Sequence, residues 1–463
     1  MTSSLPPIPN APPERPRVAV IGAGPSGLYA AAALLASDVT PVDVDVLDRL
    51  PAPYGLVRYG VAPDHVKMKS VIRVLQRPFA DGSRVRFLGN VAVGENGIPL
   101  DVLREHYHAV VHATGSSLDR DLGIPGEELA GSHGSGAFVS WYCGHPDATV
   151  LEPLLDSPGV VVVGAGNVAL DIARVLARAP VEMATTDVPE HVLATLRRSA
   201  VRDVHVVVRR GPQHVRFTPA ELRQIGELDD VDVLVHDDGL LAAGVEEPED
   251  RRQKQNLEML TAWAGNEPGT ASRRIHLHFL RSPVRLEGAG GRVEHVVLER
   301  NEVRDGKVLG TGEQETVDAG LVVRAIGYSG EPIPGLPFDQ ENGVVPNDGG
   351  RVVRDGVPVP GSYVTGWIKR GPTGVIGTNK HDALETVEKL LEDLAELPEA
   401  RYPDRDAIFE RFAEYGVEPV TWDDWLNLDA EEIRLGEVRG GAERVKVAGL
   451  DAMLDACRSA AVR

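Results

Sequence analysis

A glycine-rich turn near the start of the chain constrains the fold more than any other feature. The apolar run 18–21 predicts a strand that is buried on both faces. Gly22, Gly24 and Gly27 follow it with the G-x-G-x-x-G spacing. An Ala/Leu-rich helix is predicted over 28–36. Such a turn lets backbone approach a pyrophosphate, whose charge meets free N–H groups at the positive end of the helix. The stretch therefore predicts a dinucleotide-binding βαβ unit.

An acidic residue supports this interpretation. A second, Val-rich strand ends on Asp48, a little over the usual ~20 residues beyond the glycines. A carboxylate at this place accepts hydrogen bonds from ribose hydroxyls, so it favours a nucleotide with a free 2′-hydroxyl. The alternative is a glycine-rich turn in an unrelated α/β protein. Strand, helix, second strand and terminal acid together disfavour it.

Composition excludes several classes of protein. The 463 residues, 42% hydrophobic and 25% charged, are ordinary for a soluble globular chain. No apolar run reaches the ~18 residues of a membrane helix. Cys143 and Cys457 lie far apart, which predicts no disulfide framework, no dithiol mechanism and no iron–sulfur cluster held by this chain. A net charge of −21 argues against general nucleic-acid or anionic-membrane binding. The Pro-rich residues 1–16 indicate a loose tail and no signal peptide, so a cytoplasmic location is expected.

The strand, glycine-rich turn and helix recur at 160–178 with different residues at the positions that contact a nucleotide. The second turn has Gly164 and Gly166 but Ala169 in place of the third glycine, an accepted variant. The strand 204–208 ends in Arg209 and Arg210 where the first unit has its acid. Paired guanidiniums bind a 2′-phosphate, which a carboxylate would repel. Surface arginines that merely close a strand are the alternative. One site for a 2′-hydroxyl and one for a 2′-phosphate together suggest FAD and NADPH.

The order of these units predicts an α/β fold with two Rossmann-like domains. The strand at 321–327 parallels that at 107–115 and is expected to return the chain to the first domain. The FAD domain would therefore be discontinuous, over 17–117 and 325–463, with an NADP domain inserted at 118–324. A single helix is predicted over 66–79 and a short strand over 91–93.

Several sequence motifs, in order along the chain, resemble those of adrenodoxin reductase and its bacterial NADPH:ferredoxin reductase relatives, which have the glutathione-reductase-like fold. They are YGLVRYGVAPDH at 54–65, IPGEEL at 124–129, GNVALD at 166–171, RRGP at 209–212, AIGY at 325–328, GWIKRGPTGVI at 366–376 and VTWDDW at 420–425. The resemblance extends from about residue 17 to residue 454. It implies hydride transfer from NADPH to FAD, followed by single-electron transfers to an acidic iron–sulfur ferredoxin. A monomer is expected, without a nucleic-acid partner and without membrane insertion.

The resemblance also implies roles for individual residues. His65 and Glu221 are implied to steer hydride and proton traffic. Residues implied to hold FAD are Gly22, Ala23, Gly24, Pro25, Ser26, Gly27, Asp48, Leu56, Val93, Trp367, Gly374, Val375 and Ile376. Those implied to hold NADP are Ala165, Gly166, Asn167, Val168, Arg209, Arg210 and, again, Glu221. One departure is Asp48, which stands where the family usually has Glu.

Other interpretations of these residues stay open. For His65, which follows Pro-Asp, the alternative is a helix-capping residue, and Glu221 with Thr218 fits a capping box. A diaphorase or quinone reductase, a flavin monooxygenase and an NADPH-sensing module are the competing functions. No metal site is predicted, because His106 and His108 are too few and His276 with His278 indicates only a strand face. A docking patch for the ferredoxin is expected among exposed cations, namely Lys67, Lys69, Arg73, Arg197, Arg198, Arg202 and Arg223.

Overall fold

The computed structural model describes residues 15–37, 40–80, 83–244 and 248–459. All but the last two residues of the predicted tail at 1–16 lie outside these ranges. In chain order the strands are β1 Arg17–Ile21, β2 Asp43–Leu47, β3 Val85–Leu88, β4 Ala109–His112, β5 Leu118–Asp119, β6 Ser132–Gly134, β7 Gly159–Val163, β8 Asp203–Val208 and β9 Val231–His236. They continue with β10 Arg273–Phe279, β11 Arg281–Glu287, β12 His295–Arg304, β13 Lys307–Asp318, β14 Leu321–Arg324, β15 Tyr328–Ser329, β16 Asn347–Asp348, β17 Arg351–Arg354 and β18 Val357–Val364.

The helices cover the faces of the sheets. They are α1 Pro25–Leu35, α2 Leu56–Tyr59, α3 Val66–Lys69, α4 Ile72–Leu75, α5 Leu100–His106, α6 Ser135–Tyr142, α7 Asn167–Ala177, α8 Pro180–Met183 and α9 Glu190–Arg197. They continue with α10 Pro219–Gly226, α11 Leu240–Ala243, α12 Arg251–Trp263, α13 Trp367–Arg370, α14 Ile376–Asp393, α15 Ala407–Glu414, α16 Trp422–Arg439 and α17 Leu450–Arg458. None of the helices in the described ranges is long and apolar enough to cross a membrane.

Two large sheets carry the two glycine turns. The first has the order β16-β17-β18-β4-β1-β2-β3, and its strands from β18 to β3 run parallel. The second, β6-β14-β7-β8-β10-β9, is parallel throughout. Each turn leaves the carboxyl end of a central strand, β1 or β7, which is where ligands bind to open α/β sheets. The predicted α/β class with two Rossmann-like units is confirmed.

The chain passes between the two sheets twice, and the two crossings pair with each other. The short strands β5 and β15 are antiparallel, with Asp119 opposite Tyr328 and Leu118 opposite Ser329. Strands before 113 and after 346 belong to the first sheet, whereas those from 132 to 324 belong to the second or to the small antiparallel sheet β11-β12-β13. This is the topology of one unit inserted into another. The limits predicted for the domains stay a prediction.

Two local elements differ from expectation. The helix predicted over 66–79 is broken into α3, α4 and a 3₁₀ turn, Arg77–Phe79. Ser70 Oγ bonds the carbonyl of Lys67 at 2.7 Å, which competes with the helical ladder, and Pro78 cannot extend it. The strand predicted over 91–93 is only an isolated bridge between Val93 and Ile98.

His106 and His108 do not share a strand face. His106 is the last residue of α5, where its Nδ1 lies 2.8 Å from the carbonyl oxygen of Val102. His108 precedes β4, and its Nδ1 accepts the N–H of Arg17 at 3.0 Å. The two rings therefore satisfy separate local hydrogen bonds.

Candidate functional site

The first glycine turn is closely packed on one side and open on the other. A Cβ on Gly22 (φ +106°) would lie 2.5 Å from the Ala113 oxygen, and one on Gly27 would lie 1.9 Å from the Gly22 oxygen. Among the described residues, the N–H groups of Gly24, Ser26 and Gly27 have no acceptor. Free N–H groups at the start of α1 fit a pyrophosphate.

Asp48 lies beside this turn at the end of β2. Its carboxylate accepts the N–H of Ala23 at 2.7 Å and the N–H of Leu50 at 2.9 Å. Burial raises the pKa of Asp48, although these two N–H groups favour the charged form. The carboxylate thus braces the turn, a role that the sequence did not indicate.

A loop from the C-terminal part of the chain closes over the same turn. A Cβ on Gly366 (φ +81°) would come 2.3 Å from Ser26 Oγ. Asp382 of α14 fixes this loop, since it accepts the N–H of Gly366 and pairs with Lys369 at 2.9 Å. Trp367 follows, with its ring stacked on Tyr328 at 6.1 Å between centroids. The structure therefore brings Trp367 to the first glycine turn.

The remaining residues predicted for this site lie on neighbouring segments. Helix α14 packs along α1, which places Gly374, Val375 and Ile376 at one end of this helix pair. Val375 is 67% exposed and Leu56 is 45% exposed, so both offer apolar surface to a ligand. Val93 is half-buried against the core beneath the first sheet.

The second glycine turn is more open than the first. No atom lies within 4 Å of an ideal Cβ on Gly166. Within the described ranges, the N–H groups of residues 165–168 have no acceptor, although α7 begins at Asn167. The start of this helix therefore also fits a phosphate group.

Three arginines lie near the second turn. Arg209 is exposed and Arg210 half-buried just after β8, and no carboxylate of the described residues lies within 4.0 Å of either guanidinium. Arg210 Nε is buried and has no hydrogen-bond partner in the described part of the chain. The N–H of Arg216 donates to the Ala165 oxygen at 2.8 Å, which places the backbone of a third arginine, with an exposed side chain, beside the turn. Arg210 Nη2 donates to the Gly306 oxygen at 3.5 Å, and guanidiniums without a carboxylate partner fit a phosphorylated ligand.

A buried ionic cluster joins the two units. His65 Nε2 lies 3.0 Å from Asp171 Oδ1 and 3.1 Å from Glu221 Oε2. Arg174, fully buried on α7, bonds Asp64 Oδ2 through Nε at 2.6 Å and Asp171 Oδ1 through Nη1 at 2.8 Å. Asp64 and His65 come from the loop of the first unit, whereas the other members come from the second. We call these five residues the interdomain cluster.

His65 and Glu221 do more than cap helices. The side chain of His65 makes no cap bond to α3 and instead faces the two carboxylates. Thr218 caps α10 by accepting the N–H of Glu221 at 3.4 Å, while the Glu221 carboxylate is free to face His65. The structure brings together the two residues that were predicted to steer protons.

The cluster holds a proton at His65 Nε2. Burial opposes the charged ring, but the hydrogen bonds to Asp171 and Glu221 prevail and raise the pKa of His65 to about 9. Arg174 Nη2 lies 2.7 Å from the same nitrogen, which suits the neutral ring as an acceptor. His65 Nε2 therefore has a partner in either protonation state.

The raised pKa of His65 predicts how stability depends on pH. Protonation stabilises the folded chain fully below the ordinary value of about 6.5, and this contribution is lost as the pH rises through about 9. We expect His65→Gln to lower the unfolding midpoint more at about pH 6 than at about pH 10. His295→Gln, at an exposed histidine paired with Asp318, is the control, and an effect of His65→Gln that is independent of pH contradicts the assignment.

Comparisons with known proteins agree with this geometry. Residues 16–262 match the family model described as pyridine nucleotide-disulphide oxidoreductase. The chain is 44% identical to NADPH-ferredoxin reductase FprA of Mycobacterium tuberculosis over 460 residues, 94% of this chain and 98% of that protein. It is 41% identical to human mitochondrial NADPH:adrenodoxin oxidoreductase over 450 residues, 92% of this chain and 89% of that one. The chain belongs to the NADPH:ferredoxin reductase branch of this family.

A solved structure of this reductase family shows the same architecture. The structure of M. tuberculosis FprA in complex with NADPH superposes with a TM-score of 0.90 at 43% identity, covering 96% of this chain and all of that one. The predicted family membership is confirmed along nearly the whole chain.

Sequence reasoning missed three members of the reductase's interdomain cluster. Asp64, Asp171 and Arg174 were not predicted as site residues. Asp171 and Arg174 are three apart on α7, a spacing that indicates an ordinary helix pair. Only the fold brings Asp64, 110 residues away from Arg174, to the same guanidinium. Arg216 was also missed, because nothing in its neighbourhood marks it before the turn is folded.

Proposed function

We propose that this chain is an FAD-dependent NADPH:ferredoxin oxidoreductase. The observation that carries this function is the pair of glycine turns in one chain, the first followed by Asp48 and the second by Arg209 and Arg210. Its likeness over nearly its whole length to a protein named NADPH-ferredoxin reductase supports the same activity. When bound, FAD accepts a hydride and releases electrons singly, which side chains cannot do.

The residues of each site have separate tasks in this proposal. The N–H groups of Gly24, Ser26 and Gly27 bind the FAD pyrophosphate at the start of α1. Trp367 and residues 374–376 line the flavin ring. Residues 165–168 bind the pyrophosphate of NADPH, and Arg209 with Arg210 binds its 2′-phosphate. Glu221 and His65 orient the nicotinamide end and hold a proton beside it.

An anaerobic titration tests both cofactor sites. We expect flavin absorbance bands in the purified protein. NADPH should bleach them at much lower concentration than NADH, because the two guanidiniums bind the 2′-phosphate, which NADH lacks. A colourless protein that takes up no added FAD contradicts the proposal at its first step. Equal bleaching by both nucleotides preserves the flavin site but contradicts the assignment of Arg209 and Arg210.

The electron acceptor is proposed to be an acidic iron–sulfur ferredoxin that docks on cations. In the structure, Lys69 is paired with Asp187 at 2.7 Å and largely buried, whereas Arg197 is exposed and pairs with Glu190 at 3.3 Å. Lys67 and Arg73 are exposed next to the apolar side chains Val66, Met68 and Val74, which are 53%, 41% and 43% exposed. This combination of charge and apolar surface begins one residue after His65 and suits a transient partner.

Charge reversal tests this docking surface. We expect Lys67→Glu with Arg73→Glu to raise the KM for ferredoxin by about tenfold at low salt and to weaken its salt dependence, since rim charges act on association. Reduction of ferricyanide by NADPH, which needs no docking surface, should not change. Arg354→Glu, on β17, is the control. Unchanged turnover and salt dependence with ferredoxin would place the partner elsewhere.

A further inference from the structure

Four histidines lie together on one face of the second sheet. His205 of β8 is the register partner of His276 of β10, and His236 of β9 is the register partner of His278. His276 and His278 are two residues apart, so their side chains share a face. The opposite face of these strands, with Val204, Ile275 and Leu277 among others, lies in the core. The histidines are thus not core residues.

The ring nitrogens of this group converge. His205 Nδ1 lies 3.0 Å from His278 Nε2, and His236 Nε2 lies 3.0 Å from His276 Nδ1. Each contact joins two ring nitrogens, so one nitrogen of each pair must carry a lone pair. One ligand nitrogen from each of His205, His276 and His278 lies within 4.8 Å of the others. Nitrogens bound to one tetrahedral zinc ion are about 3.3 Å apart. The rings of His205 and His276 stack at 4.4 Å between centroids with 17° between their planes, so rotation about χ2 is required to aim both lone pairs at one ion.

A carboxylate orients one of the rings. Asp203 Oδ1 lies 3.0 Å from His276 Nε2, and Asp203 is held in turn by Arg274 Nε at 2.6 Å. If His276 donates its Nε2–H to this carboxylate, its Nδ1 carries the lone pair, and that nitrogen lies 3.0 Å from His236 Nε2. A carboxylate behind a histidine in this way fixes the tautomer of metal ligands.

We propose that His205, His276 and His278 bind a borderline divalent metal ion such as Zn²⁺. Imidazole nitrogens suit Zn²⁺, Ni²⁺ and Cu²⁺, whereas Mg²⁺ and Ca²⁺ require oxygen ligands. Each of the three rings is half-buried, so the site is open to solvent for loading, and His236 or a water takes the fourth position. The metal would cross-link β8 to β10.

The interdomain cluster does not compete for this role. His65, Asp171 and Glu221 also lie close enough together for one ion. However, Arg174 Nη1 is 2.8 Å from Asp171 and Nη2 is 2.7 Å from His65 Nε2, so a guanidinium already fills the space with positive charge. A second cation there would be repelled.

Zinc stoichiometry in the FAD-loaded protein tests the proposal. The chelator-treated protein is dialysed against micromolar ZnCl₂ and gel-filtered, and zinc per polypeptide chain is measured by atomic emission. We expect about one zinc per chain, and at least tenfold less for the double variant His205→Gln with His278→Gln. Asp203→Asn keeps all the imidazoles and should weaken zinc binding about 10- to 100-fold. His295→Gln, at an exposed histidine of β12, should retain zinc like the unmodified protein.

Flavin content and anaerobic reduction by NADPH verify that each variant is folded. Failure of the unmodified protein to retain zinc overturns the proposal. So does equal zinc in the double variant, or loss of zinc on His65→Gln with retention in the double variant. Because the readout is metal content, these outcomes do not depend on the proposed function.

Discussion

Replacing Arg174 by methionine is expected to lower the free energy of unfolding by about 3–5 kcal/mol, which is the usual effect of breaking a buried ion pair. Arg174 is fully buried and lies within 3.5 Å of the carboxylates of Asp64, Asp171 and Glu221. Methionine fills a similar volume but leaves these carboxylates facing one another in a poorly solvated space. Guanidinium chloride unfolding of the FAD-loaded variant and unmodified protein measures the difference.

A surface arginine provides the matched control. Arg197 pairs with Glu190 at 3.3 Å, but the two side chains are 53% and 64% exposed. Arg197→Met should therefore change stability by less than about 1 kcal/mol. Combining Arg174→Met with Asp64→Asn should recover part of the loss, because one of the buried negative charges is then removed and only Arg178, at 3.4 Å, loses a partner. Equal effects of the two methionine substitutions would show that the interdomain cluster does not stabilise the fold.

The fold was predictable because its signals are local. Each glycine turn follows an apolar strand and opens a helix, and the sequence displays this order directly in 18–36 and 160–178. Trp422 and Trp425 of the VTWDDW motif pack against the core of the first unit. Trp425 is buried, and Trp422 stacks on Phe79 at 4.4 Å.

The ionic partners of His65 and Glu221 and the histidine group were not predictable, because they come from distant segments. Glu221 and Arg174 are 47 residues apart, and His205 and His278 are 73 residues apart. Each residue by itself fits a helix face or a strand face. The pairing of β8 with β10, which the sequence does not show, decides which histidines become neighbours.

The individual residues of the cofactor sites were predictable in part. Geometry places the predicted glycines, Trp367 and residues 374–376 around one turn, and Arg209 and Arg210 near the other. Their contacts with FAD and NADPH stay predictions. The Asp48 carboxylate illustrates the difficulty, since it braces Ala23 and Leu50 as well as lying where a ribose is expected.

The second large effect is expected for the double variant Arg209→Ala with Arg210→Ala. Charge-assisted hydrogen bonds contribute about 1.5–3 kcal/mol each, so loss of both should lower kcat/KM for NADPH by about 100-fold or more. The value for NADH, which lacks the 2′-phosphate, should change by less than about threefold, so that the preference for NADPH nearly disappears. Stopped-flow reduction of the flavin by each nucleotide measures both values without a protein partner.

Two control variants distinguish lost binding of the 2′-phosphate from a general effect of removing positive charge. Arg354→Ala, on β17 of the first sheet, removes a positive charge far from the second turn and should leave both nucleotides unaffected. Arg216→Ala tests the third arginine, whose backbone N–H donates to the Ala165 oxygen of the second turn, where the pyrophosphate is proposed to bind. It should therefore weaken NADPH and NADH by similar factors. A double variant that loses both nucleotides equally would assign Arg209 and Arg210 to the pyrophosphate and leave the 2′-phosphate to other residues.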